Sequence, residues 1–187
     1  MTLTILIWLP LAVGVLGALL PERLVRLLAV AGSLATLGIA VDFIARFHTG
    51  QAGLQFVTDR MWISALGIHY KLGLDGLNVL LVLITTIVFA AALLWSAGRE
   101  WPRARLYYFN FLLAESGVLG AFCAQDLALF IIFFDLMLVP FYFLSGIWGG
   151  VNRVAATTKL VIYTLVGSFF MLVGIGAMAL YFLVQTT

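Results

Sequence analysis

The chain has 187 residues, of which 64% are hydrophobic and only 10% charged. Its mean hydropathy is +1.17, and about 45–50% apolar residues suffice for a soluble domain, so most of this chain belongs in a bilayer. The net charge of +2 says nothing about nucleic acid, and a lone cysteine, Cys123, excludes an intrachain disulfide and any cysteine cage for a metal or iron–sulfur cluster.

The fold class expected is all-α, a polytopic bundle in one transmembrane domain, residues 1–187. Its length accommodates about six spans of roughly 20 residues each. The first, residues 2–20, is uncharged with Pro10 in its middle. No basic residue precedes its apolar core and Pro21-Glu22-Arg23 is a poor cleavage site, so it reads as a retained span rather than a signal peptide. Span 2, residues 27–47, is rich in Ala, Gly, Ser and Thr, which allow close helix packing. Asp42 near its end has Arg46 as an i+4 partner.

Residues 48–73 form the one long polar connection and carry both histidines, His48 and His69, which read as solvated loop residues. Gln55 to Trp62 alternates in character, as a strand of a surface hairpin would. Asp75 is a candidate N-cap for span 3, residues 75–96. A basic, aromatic turn with Arg99, Trp101, Arg103 and Arg105 leads to span 4, residues 106–124, with Glu115 near its centre. Asp126 is expected to cap span 5, residues 127–148. A glycine-rich loop, Gly149 to Arg153, precedes span 6, residues 158–185, with Lys159 at its start.

Counting Lys and Arg by loop gives seven in the turns after spans 1, 3 and 5 and three in the loop after span 2. The positive-inside rule then puts the N-terminus and the long loop outside, on the periplasmic face of an inner membrane.

Three ionisable residues remain once boundary positions are set aside: Asp135, Glu115 and Lys159. Asp135 sits inside the apolar run Phe130 to Phe143, where an ionised acid costs about 2.5–3.5 kcal/mol on insertion scales. Pro140 lacks the N–H that would bond the carbonyl of Leu136, next to the acid, which favours a kinked, hydrated pocket there. Seven-residue spacing returns nearly to the same helix face, so Tyr142 lies in line with Asp135 and Tyr108 with Glu115; Tyr163 follows Lys159 by four. Desolvation favours the neutral forms of buried acids and lysines, so such groups can pass protons. The competing structural reading is that the acids stay protonated and hydrogen-bond to hold helices together. Lys159 can also snorkel to the near surface, and lies roughly 10 Å shallower than Asp135, too far for a direct salt bridge. No glycine-rich phosphate loop or dinucleotide fingerprint is present, so no cofactor and no metal is expected on this chain and redox chemistry falls to partners.

Several stretches together resemble the antiporter-like membrane subunits of respiratory complex I, of the M or ND4 type. They are Leu74-Asp75-Gly76-Leu77, Ala114 to Gly120, Phe134 to Leu144, Gly146 to Gly150 with Arg153, and Ala155 to Thr164. The resemblance runs through the whole chain. It implies a proton-translocating subunit of an NAD(P)H:quinone oxidoreductase, with Asp135 as the principal proton site, Glu115 and Lys159 assisting, and Tyr142, Tyr163 and Pro140 as support. The family carries a glutamate at the position of Asp135, so the acid here reaches about one C–C bond less. The family also has about fourteen spans, which implies that this chain is the N-terminal part of a longer or split subunit, partnered by its second half, by other membrane-arm subunits and by lipid. Competing readings are a subunit of a multi-subunit Na⁺/H⁺ antiporter or membrane-bound hydrogenase, and a structural fragment that moves no ions.

Overall fold

The computed structural model describes residues 2–48, 50, 53–64 and 68–186. Their elements are α1 (Leu3–Leu19), α2 (Glu22–Ala45), β1 (Gln55–Ile63), β2 (Ile68–Leu74), α3 (Asn78–Ala97), α4 (Ala104–Cys123), α5 (Leu127–Trp148) and α6 (Arg153–Thr186). Five of the six helices are long and apolar enough to cross a membrane, and α1 is a shorter apolar helix of 17 residues. Helices satisfy every backbone group internally, which is why apolar runs of this length take that form in lipid.

Helix starts differ from the expected spans where a helix can continue past the hydrocarbon into the interface. α2 starts at Glu22 directly after Pro21, and α6 at Arg153, which puts Lys159 in its second turn. α3 starts three residues late, at Asn78. Asp75 still acts as the cap: its carboxylate accepts from the backbone N–H of Leu77 at 2.8 Å and of Asn78 at 2.7 Å. Asp126 caps α5 by accepting from the N–H of Ala128 and Leu129 at 2.9 and 3.2 Å. Asp42 and Arg46 pair at 2.9 Å. α5 runs as helix straight through the buried Pro140.

The connection between α2 and α3 is a two-stranded antiparallel hairpin in which Thr58 faces Leu72 and Arg60 faces Tyr70, with irregular register near Gln55 and Ile63. At the first irregularity Phe56 takes a left-handed backbone (φ 54°) and sets its ring edge-on against Phe43, 5.0 Å between centroids. The hairpin is fastened to the α4–α5 turn: the N–H of Gln125 donates to Lys71 O at 2.9 Å, Gln125 Nε2 to Gly73 O at 3.2 Å, and the N–H of His69 to Asp126 Oδ2 at 3.3 Å. His69 also pairs with Asp59 at 2.8 Å.

α4 is the central helix, packed on α1 and α5 and touching α2 and α3, and 67% of its span is buried. α6 packs chiefly on α5, with 6% of its span buried. Glycines set the closest approaches. A Cβ on Gly117 would stand 3.0 Å from Met137 Cβ, and one on Gly120 would overlap the ring of Phe133, so α4 and α5 meet almost backbone to side chain. Gly32 gives Val13 of α1 the same access to α2.

Candidate functional site: buried acids of the central helix pair

Because α4 is surrounded, its polar residues point into protein rather than lipid. Glu115 is fully buried, and Ser33 of α2, also fully buried, donates its hydroxyl to Oε1 at 3.0 Å. The second oxygen, Oε2, is enclosed and has no hydrogen-bond partner among the described residues. Ser116 turns toward α1 and donates to Ile7 O at 2.7 Å, within the turn that Pro10 disturbs. The α1–α2–α4 junction is thus stitched by hydroxyls around one carboxyl group.

Asp135 lies on the facing helix, partly buried, with Oδ1 enclosed and likewise unpartnered among the described residues. The glycine contacts give the antiparallel register, with residue 117 level with 137 and 120 with 133. Glu115 therefore stands level with position 139 or so, about 6 Å along the axis from Asp135, a little over one helical turn. At 100° per residue Glu115 points away from Gly117 toward α2, and Asp135 away from Phe133 and Met137, so the two acids lie on opposite sides of the α4–α5 contact, each with an enclosed oxygen that has no hydrogen-bond partner among the described residues. A buried acceptor without a donor costs about 1–3 kcal/mol, which a protonated carboxyl or a bridging water relieves.

Lys159 is not brought to Asp135. Its side chain is exposed on α6, and the contact of Gly146 with Thr157 sets it level with position 144, about 13 Å along the axis from Asp135. Tyr163 is 73% and Tyr142 45% exposed. Tyr142 stands edge-on to Phe143 at 5.5 Å, and no hydrogen bond joins it to Asp135 among the described residues. Tyr108 bonds Ser96, not Glu115.

Sequence reading missed Ser33, which lies 82 residues from its acid. It also missed a hydroxyl row on the face α6 turns to α5: Thr157 and Ser168 are buried and Thr164 is half-buried between them. By the same register Ser168 stands level with Asp135. The signal was available in the 7- and 4-residue spacing of these three, which keeps one helix face. Among the described residues no group of three His, Cys, Asp or Glu could hold a metal.

Comparison with known proteins bears on these same helices. The family described as NADH:quinone oxidoreductase/Mrp antiporter, transmembrane, matches residues 124–186, which comprise α5 and α6. Subunit M of the NADH-quinone oxidoreductase of Rhodobacter capsulatus is 36% identical over 192 residues, covering 99% of this chain and 36% of that protein. This chain is thus similar over nearly its whole length to antiporter-like membrane subunits of the M, or ND4, type. The chloroplastic NAD(P)H-quinone oxidoreductase chain 4 of Mesostigma viride is 38% identical over 96% of this chain and 36% of its own length. Respiratory complex I from Thermus thermophilus with bound NADH contains a chain that superposes with a TM-score of 0.79 at 28% identity, over 92% of this chain and 34% of that one. The chain spans about a third of the length of the M-type relatives it matches, and it is a multi-pass membrane protein like them in fold.

Proposed function

We propose that this chain is a proton-translocating part of the membrane arm of an NAD(P)H:quinone oxidoreductase, in which electron transfer in partner subunits drives protonation changes at Asp135 and Glu115. The supporting observation is that Glu115 of α4 and Asp135 of α5 each have an enclosed carboxyl oxygen with no hydrogen-bond partner among the described residues. An intramembrane acid without a fixed counter-charge is an expensive group to keep unless it exchanges a proton. Ser33 holds Glu115 in place as a hydrogen-bond donor, and the row Thr157, Thr164, Ser168 offers hydroxyls from the level of Lys159 to that of Asp135. Lys159, at the end of α6 that carries the excess of basic residues, serves as the charged group nearest the side from which protons enter. Tyr142, Tyr163 and Pro140 have supporting places along α5 and α6.

On this reading the N-terminus is periplasmic, the chain corresponds to the first part of an M-type subunit, and it works with the remainder of that subunit and with other membrane-arm subunits. It binds no cofactor itself. The matching family also takes in Mrp antiporters, which makes sodium–proton exchange the second reading.

The test is replacement of Asp135 in the assembled complex, with proton uptake followed in inverted vesicles. Asp135→Asn should abolish most NADH-driven uptake, while Asp135→Glu retains it. Full pumping and turnover in the Asn variant would remove Asp135 from the pathway. Uptake that requires sodium would favour the antiporter reading.

A further inference from the structure

A groove of about 610 Å³ opens between α1, α5 and the β1–β2 hairpin, and neither Asp135 nor Glu115 lines it. Its lining changes in character with depth. Arg60 and the hydroxyl of Thr58 stand at the hairpin rim, and Phe133 and Leu136 of α5 line the far end. From Leu129 to Leu136 the groove follows α5 for seven residues, about 10 Å into the bilayer. Trp8 and Tyr70 form its wall, locked together by a bond from Trp8 Nε1 to the Tyr70 hydroxyl at 3.0 Å. Indole and phenol rings favour the depth where lipid headgroups sit.

Arg60 carries the charge argument. It is the cross-strand neighbour of Tyr70, so both side chains share the face turned toward the groove. Asp59, one position earlier on the opposite face, is engaged by His69 at 2.8 Å and Lys71 at 3.9 Å. Arg60 makes no ion pair among the described residues, and it is exposed at the mouth. A guanidinium takes a phosphate in a two-pronged, charge-assisted contact.

We propose that this groove binds one anionic phospholipid, its phosphate on Arg60 and the upper part of one acyl chain against Phe133 and Leu136. A phosphate diester with an uncharged headgroup substituent leaves its negative charge for Arg60, whereas a zwitterionic headgroup brings its own competing cation. One basic side chain near an anionic lipid surface is worth about 1 kcal/mol, or about fivefold in affinity.

The purified, delipidated protein is mixed with phosphatidylglycerol or phosphatidylcholine, and retained lipid is read by native mass spectrometry. Phosphatidylglycerol should be retained about fivefold over phosphatidylcholine. Arg60→Gln should erase that preference while both lipids still bind at the lower level, and Ile132→Trp, which fills the groove, should reduce both. In native membranes, benzoylphenylalanine at Met61, which also lines the groove, should yield an adduct of phospholipid mass on irradiation. Equal retention of the two lipids, a preference that survives Arg60→Gln, or an adduct with a protein chain at Met61 would each overturn the proposal. Proton uptake does not enter these readouts, so the site stands or falls separately from the function proposed above.

Discussion

At the scale of single residues, the site rests on the contrast between the two oxygens of Glu115. Oε1 has the Ser33 hydroxyl and Oε2 has no partner among the described residues. Ser33→Ala strands the first oxygen as well, and should lower stability by about 1–3 kcal/mol, seen as earlier thermal unfolding in detergent. Glu115→Gln retains an oxygen for Ser33 in a side chain of the same shape, so its unfolding should move less than that of Ser33→Ala. A double-mutant cycle of Ser33→Ala with Glu115→Ala, which removes the acceptor altogether, should show a coupling of about 0.5–3 kcal/mol. Were Ser33 a bystander, the cycle would close at zero. Asp135 was evident from its lone charge in an apolar run, and Glu115 likewise. Ser33 was not, because a buried serine in a helix looks in sequence like any other small packing residue.

Among the elements, the α4–α5 contact sets the relative depth of the two acids, and two small residues decide that contact. Gly120→Ala would drive a methyl into the ring of Phe133, itself buried, and overpacking of this kind costs about 1–3 kcal/mol. At Gly38 of α2 a Cβ meets nothing within 4 Å, so Gly38→Ala should instead stabilise by about 0.5–1 kcal/mol through helix propensity. Opposite shifts in unfolding temperature for these two glycine-to-alanine changes are the expected result. Two shifts of the same sign would mean that α4 and α5 do not meet as described. The elements themselves were largely legible in the sequence. The helices follow apolar runs, the hairpin follows alternation from Gln55 onward, and Asp75 and Asp126 cap within three residues of themselves. Helix starts were less legible, since polar residues such as Glu22 and Arg153 continue a helix as well as they end one.

For the whole molecule, the hairpin, the N-terminal end of α1 and the α4–α5 turn gather at one end, as the bonds from Trp8 to Tyr70 and from Gln125 to Lys71 show. The turns at the other end are tied by Arg26 to Ala97 O at 3.1 Å and Trp148 to Pro102 O at 2.9 Å. Cysteine scanning tests which end faces the cytoplasm, since the native Cys123 is buried. Met61→Cys should react with a membrane-impermeant maleimide in intact cells, whereas Val151→Cys, fully exposed in its turn, should react only after the cells are opened. The reverse pattern would invert the orientation. Composition and apolar run length determine by themselves a membrane bundle and its approximate spans, because each is a transfer energy summed along the chain. Tertiary structure alone decided that Ser33 serves Glu115, that the two acids lie about one turn apart in depth, and that Lys159 stays about 13 Å from Asp135 along the axis. Those facts depend on how neighbouring helices meet, as in the contacts of Gly117 with Met137, Gly146 with Thr157 and Ser33 with Glu115, which no single helix encodes.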